Sequence, residues 1–131
     1  LPFKVHNEVV YLAGQLAKES GAVRKTGRVL KESTELEASR QIEICSQHAF
    51  SWLQIAAENN NSEIDSILDL KVYVSCDRSF EGISRLADKA SEVFIEKLGE
   101  KGRHPRSVLA VLRLPQNAPV MIDLRASIKL K

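Results

Sequence analysis

The stretch Gly99-Glu100-Lys101-Gly102-Arg103-His104-Pro105-Arg106-Ser107-Val108-Leu109-Ala110-Val111-Leu112-Arg113-Leu114-Pro115 is the one around which the rest of the chain is read. A glycine-punctuated loop runs to His104-Pro105 and then delivers Arg106 into an apolar run rich in β-formers. Proline fixes its own φ and drives the preceding residue towards extended backbone, so the loop enters the strand stiffly. Arg106 is therefore expected at a strand entrance, where its side chain can lean over a cleft. A guanidinium is a planar fork of donors suited to a carboxylate or a phosphate, which makes Arg106 a candidate anchor for the anionic group of a small ligand. The alternative from spacing alone is an ordinary surface arginine at a strand edge.

Upstream of this loop, Phe80, Ile83, Ala87, Ala90, Phe94 and Leu98 recur at helical spacing after the cap-type residues Asp77-Arg78-Ser79, and Gly99 suits the position just past a helix end. Before that, Ile67 to Ser75 reads as a principal strand, with Val72 and Val74 on one face and Lys71, Tyr73 and Ser75 on the other. Downstream, the turn residues Pro115-Gln116-Asn117-Ala118-Pro119 separate a strand from Arg106 to about Leu114 from a second one, Val120 to Ile128. In the latter Ile122, Leu124, Ala126 and Ile128 share one face, and Met121, Asp123, Arg125 and Ser127 the other. Nearer the start, Thr34-Glu35-Leu36-Glu37 matches a capping box, and Leu36, Ile42, Cys45, Ala49, Trp52, Leu53 and Ala56 form the apolar stripe of a helix ended by Asn59-Asn60-Asn61-Ser62. Val9 to Ala13 reads as a strand broken at Gly14, and Gln15 to Leu30 as an irregular, hairpin-like excursion.

With 131 residues, the chain suits a single domain, residues 1–131. Charged residues make up 27% and hydrophobic ones 44%, an ordinary soluble composition. A net charge of +2 is too small to argue for a polyanion partner, and Arg24, Lys25, Arg28 and Lys31 lack the interleaved aromatics of a nucleic-acid platform. Cys45 and Cys76 form no CxxC or Cys/His metal spacing, so free thiols in a reducing cytoplasm are expected, with no metal and no cofactor. No apolar run approaches the ~20 residues of a membrane span.

Together these elements predict an α+β domain in which two helices pack on one face of a mixed sheet. The opposite face mixes Leu109, Val111 and Met121 with Asp123, which implies burial against identical subunits in a closed ring. In this order the residues carry a resemblance. Gly14-Gln15, a helix, Leu70-Lys71-Val72-Tyr73-Val74, a second helix, Arg106-Ser107 and Leu114-Pro115 together resemble the YjgF/RidA family, also labelled L-PSP endoribonuclease or reactive-intermediate deaminase. Leu98 to Ser107 is similar to the branch whose loop reads G-x-x-G-R-H-x-R-S. The resemblance covers almost the whole chain. It implies a chorismate-mutase-like fold and a homotrimer with a barrel-like centre and ligand clefts between subunits. It also implies that Arg106 grips the carboxylate of a small 2-imino or 2-enamino acid, hydrolysed to a 2-keto acid and ammonia. Gly14 falls on the family's cleft glycine, and Val108 where a cysteine is common.

The departures from the family pattern define the expected site further. Where deaminating members carry a glutamate, this chain has Met121, which cannot take a proton. Asp123, two residues on and on the same side, is the candidate substitute, although two strand positions displace a carboxylate by ~6–7 Å. Ala13 stands at the family's frequent serine, Asp88 at the branch's asparagine, and Phe3 or no residue at the N-terminal tyrosine. The expected ligand set is thus Arg106, Gly14, Val108, Ala13, Asp88 and Met121, with Asp123 as the acid–base candidate. Two function classes follow: a trimeric protein binding a small carboxylate with weak or altered imine hydrolysis, and a non-catalytic metabolite-binding or regulatory module. The family's ribonuclease and translation-inhibitor labels find no paired histidines, since His6 and His104 stand alone in the sequence.

Overall fold

Both helices form where apolar spacing places them. In the computed structural model, which describes residues 1–131, α1 spans Glu35–Glu58 and α2 spans Ile83–Leu98. The capping box is complete: Thr34 Oγ1 accepts the Glu37 N–H at 3.0 Å and Glu37 Oε1 accepts the Thr34 N–H at 2.9 Å. Ala38, Ile42, Cys45, Ala49, Leu53 and Ala56 are fully buried, but Leu36 is 61% exposed. At 100° per residue Leu36 lies about 200° around the helix from Ala38, so it belongs to the wet side and not to the stripe. The second helix starts later than Asp77-Arg78-Ser79 implied. Asp77 instead accepts the N–H and hydroxyl of Ser79 in a local turn, and Gly82 occupies the N-cap of α2.

Seven strands complete the fold: β1 (Phe3–His6), β2 (Val9–Gln15), β3 (Lys18–Glu19), β4 (Ala22–Val23), β5 (Ser62–Ser75), β6 (Arg106–Val111) and β7 (Val120–Leu130). The main sheet runs β1-β2-β7-β5-β6, antiparallel except for the parallel pair β5–β6, while β3 and β4 form the separate hairpin of the excursion. β5 begins at Ser62, five residues before the expected start. Register shifts between Ile64 and Ser66 and between Ile67 and Asp69 break the alternation that would have revealed those residues. Gly14 does not end β2 but sits inside it, at an irregularity between Leu12 and Gln15. β6 stops at Val111, leaving Leu112 80% exposed.

α1 and α2 cover one sheet face, where Val10, Leu70, Val72, Val74, Ile122, Leu124 and Ala126 are buried in one continuous core. The predicted architecture of two helices on one face of a mixed sheet is therefore the observed one. By alternation the other face carries Tyr11, Tyr73, Leu109, Met121 and Asp123, and Tyr11 and Leu109 remain exposed. The helix-wheel assignment has a direct check. Leu53→Ala should destabilise the chain by about 2–5 kcal/mol, while Leu36→Ala should stay within about 0.5 kcal/mol, both read as shifts in denaturant midpoint.

Candidate functional site

Arg106 opens β6 opposite Leu70 of β5, a register that turns its side chain to the helix-covered face. There its Nη1 donates to Asp88 Oδ1 at 2.9 Å and to Ser91 Oγ at 3.1 Å. Asp88 and Ser91 lie three residues apart on α2, hence on one side of the helix. Ser91 continues inward, its Oγ 3.0 Å from His104 Nε2, and His104 Nδ1 stands 2.6 Å from the Gly102 carbonyl. A carbonyl can only accept, so Nδ1 carries the ring proton. In the neutral ring Nε2 is then an acceptor, Ser91 donates its hydroxyl to it, and the serine oxygen is left to accept from Arg106. Proton positions along Arg106–Ser91–His104–Gly102 are thereby fixed in one direction.

The loop can hold this chain because Gly102 has no side chain. A Cβ there would meet the Phe94 carbonyl oxygen at 2.2 Å, so only glycine lets the loop lie against α2. Phe94 also packs its ring edge-on to His104 at 6.4 Å between centroids. Burial pushes the His104 pKa below its ordinary 6.5, and the Arg106 charge pushes the same way against the opposing Gly102 hydrogen bond. Val108, two residues along β6 on the same face, packs against the core.

Ala13, Gly14 and Met121 meet elsewhere. With Pro2, His48 and Trp52 they line a cavity of about 580 Å³ whose wall contains no carboxylate. A Cβ on Gly14 would fall 2.7 Å from Met121 Sδ, so the thioether lies directly on the glycine backbone. Asp123 is not in that wall. Its Oδ2 accepts the Tyr73 hydroxyl at 2.9 Å, and burial followed by this bond raises the Tyr73 pKa. β7 and β5 separate β2 from β6, so Gly14 stands three strand spacings, ~14 Å, from the β6 edge that carries Arg106, and Met121, on β7, stands two, ~10 Å, in one chain. Arg106 also borders a groove of about 350 Å³ together with Asp69, Lys71 and Arg125. In that groove Arg125 pairs with Asp69 and holds its carboxyl below the usual range.

Sequence reading did not find Ser91 and treated His104 as isolated. The available signal was the three-residue spacing of Asp88 and Ser91, which only the helix turns into one surface. A pH dependence follows from the ring. The unfolded chain binds the His104 proton more tightly, so stability is complete above pH 6.5 and falls as pH drops through the window below it. His104→Gln, which cannot titrate, should show a smaller loss between pH 7.5 and pH 5.5 in denaturant titrations than the unsubstituted chain.

No protein-family model matches the chain. It is 30% identical over 115 residues to Protein TCP17 of Trypanosoma cruzi, spanning 87% of this chain and 71% of that protein. The crystal structure of Atu1372 from Agrobacterium tumefaciens, a protein with unknown function, superposes with a TM-score of 0.91 at 30% identity, covering 98% of this chain and 81% of that one. The YjgF gene product of E. coli gives a TM-score of 0.63 at 13% identity, over 97% and 86% of the two chains, and so shares the fold. From end to end, with the G-x-x-G-R-H-x-R-S loop set at its β6 entrance, the chain is a relative of Atu1372 and of Protein TCP17 and has the fold of the YjgF gene product.

Proposed function

We propose that this protein is a homotrimer whose clefts, formed between neighbouring copies, bind a small carboxylate through Arg106. The observation that carries this reading is the arginine's setting. Its side chain is 24% exposed and braced at Nη1 alone, so Nε and Nη2 remain to grip a carboxylate in bidentate fashion. The Gly14–Met121 cavity lies too far across the sheet to reach a ligand held on Arg106 of the same copy. A second copy docked against the half-apolar open face or the free β6 edge would bring the two halves together, which is the trimer that the family resemblance implies. Its ligand class is then a 2-imino, 2-enamino or 2-keto acid, encountered in the cytoplasm.

Hydrolysis of an imine adds water oxygen to C2 and breaks the carbon–nitrogen bond, releasing a keto acid and ammonia. This demands an anchored carboxylate, a placed water and some route for protons. Arg106 supplies the anchor, and positioning by itself accelerates such a step. Met121 cannot carry a proton, and Asp123 is engaged with Tyr73. Turnover is accordingly slow. A second reading, a non-catalytic metabolite-binding module, is favoured by the carboxylate-free wall around Gly14 and Met121. RNA cleavage has least support, since His104 serves the Arg106 brace and pairs with no other histidine.

Arg106→Ala should weaken binding of 2-oxobutanoate, followed by calorimetry, by about tenfold or more, the scale of charged hydrogen bonds. Equal affinity in both proteins would remove Arg106 from ligand binding. Met121→Glu should raise ammonia release from an enzymatically generated enamine acid by about tenfold or more, because it restores a proton carrier beside Gly14. An unchanged rate in this variant favours the metabolite-binding module.

A further inference from the structure

Asp88 and Arg106 form an unequal pair. The arginine side chain is 24% exposed, but the aspartate side chain is 62% exposed, so the carboxylate projects further into solvent than the cation it neutralises. Only Asp88 Oδ1 is engaged, and Oδ2 has no hydrogen-bond partner in the chain. The neighbouring cations on α2 are committed elsewhere: Arg85 binds Glu35 through two nitrogens at 3.0 Å, and Lys89 binds Glu43 at 2.9 Å, both partners lying on α1. Asp88 is therefore left facing Arg106 alone, with half of its acceptor capacity free. Arg106 mirrors it, with Nη1 used and its other nitrogens free.

Two half-used, oppositely charged groups at contact distance match a ligand that itself carries both signs. We infer that Asp88 makes the Arg106 site selective for an acid bearing a cationic nitrogen next to its carboxylate, an α-amino or α-iminium acid, over the keto acid of the same size. In such a ligand the nitrogen is two bonds from the carboxyl carbon, so one molecule can span a single ion pair. The ligand carboxylate takes the free edge of Arg106, and its N–H groups point at Asp88 Oδ2. A keto acid offers a carbonyl oxygen at the same place, and that oxygen meets the carboxylate with like polarity. Asparagine at this position would hydrogen-bond either ligand and lose the discrimination. Asp88 acts here as a specificity residue, and the proposal rests on the reading that Arg106 binds a carboxylate.

The test uses the full chain and two probes of equal size, 2-aminobutanoate and 2-oxobutanoate, titrated by calorimetry. The unsubstituted protein should prefer the amino acid by roughly tenfold to a hundredfold, the worth of one charge-assisted hydrogen bond. Asp88→Asn should still bind the keto acid and lose most of that preference, and Asp88→Ser, which cannot place a charge there, should behave alike. Arg106→Ala should bind both probes about tenfold or more weakly than the unsubstituted protein. An amino/keto preference that is absent in the unsubstituted protein, or unchanged in both Asp88 variants, overturns the role of Asp88 while leaving Arg106 as the anchor. If Arg106→Ala binds both probes as the unsubstituted protein does, the carboxylate-binding reading itself fails.

Discussion

The pairing register at Leu70 is the constraint on which both fold and site depend. Leu70 sits in the middle of β5, opposite Leu124 of β7 on one side and Arg106 of β6 on the other. Side chains alternate strictly along a strand, so a slip of one residue on β6 would move Arg106 from the helix-covered face to the open face. It would then lose Asp88 and Ser91 together. Val108, the β6 residue paired with buried Val72, packs against the core beneath the helices, and a slip would trade it for its neighbours from the open face, so its packing is what forbids the slip. The same apolar layer that stabilises the domain thus decides where the Arg106 guanidinium points.

What surrounds Arg106 is built for orientation more than for strength. An ion pair with one partner 62% exposed adds little to stability in water. The serine–histidine chain behind it is different, because each hydrogen has a single consistent place once the Gly102 carbonyl fixes the ring tautomer. A guanidinium held at one nitrogen by two acceptors on the same helix loses rotamer freedom before any ligand arrives, and a ligand that binds it avoids that ordering loss. Gly102 enters the same logic from the backbone, since its missing side chain allows the loop to touch α2 at Phe94.

Met121 marks the other half. Its sulfur rests on Gly14, so the glycine's openness is filled from within the chain, and Asp123 is tied to Tyr73. The predicted site residues therefore divide into two groups on separate strands. Arg106, Asp88 and Val108 belong to the β6–α2 edge. Ala13, Gly14 and Met121 belong to β2 and β7, and Asp123 stands apart from that cavity.

Periodicity was enough to place α1, α2 and the two faces of β7, because burial on one side leaves a regular imprint in the order of residues; the capping box fixed the start of α1, while the cap-type residues before α2 did not mark its start. The same imprint located Arg106 at a strand entrance behind Pro105. It failed where regularity fails: the bulges of β5 hid its first five residues, Gly14 lies within β2 because an irregular pairing carries the strand past it, and Leu36 was apolar yet off the buried stripe. Sequence alone therefore determined the layers and the candidate anchor. Only the tertiary structure decided what the anchor touches, because a helix folding back over a strand edge brings Asp88 and Ser91 to Arg106, and Ser91 to His104. Contacts of that kind depend on register and packing between distant segments, and no local pattern of residues encodes them.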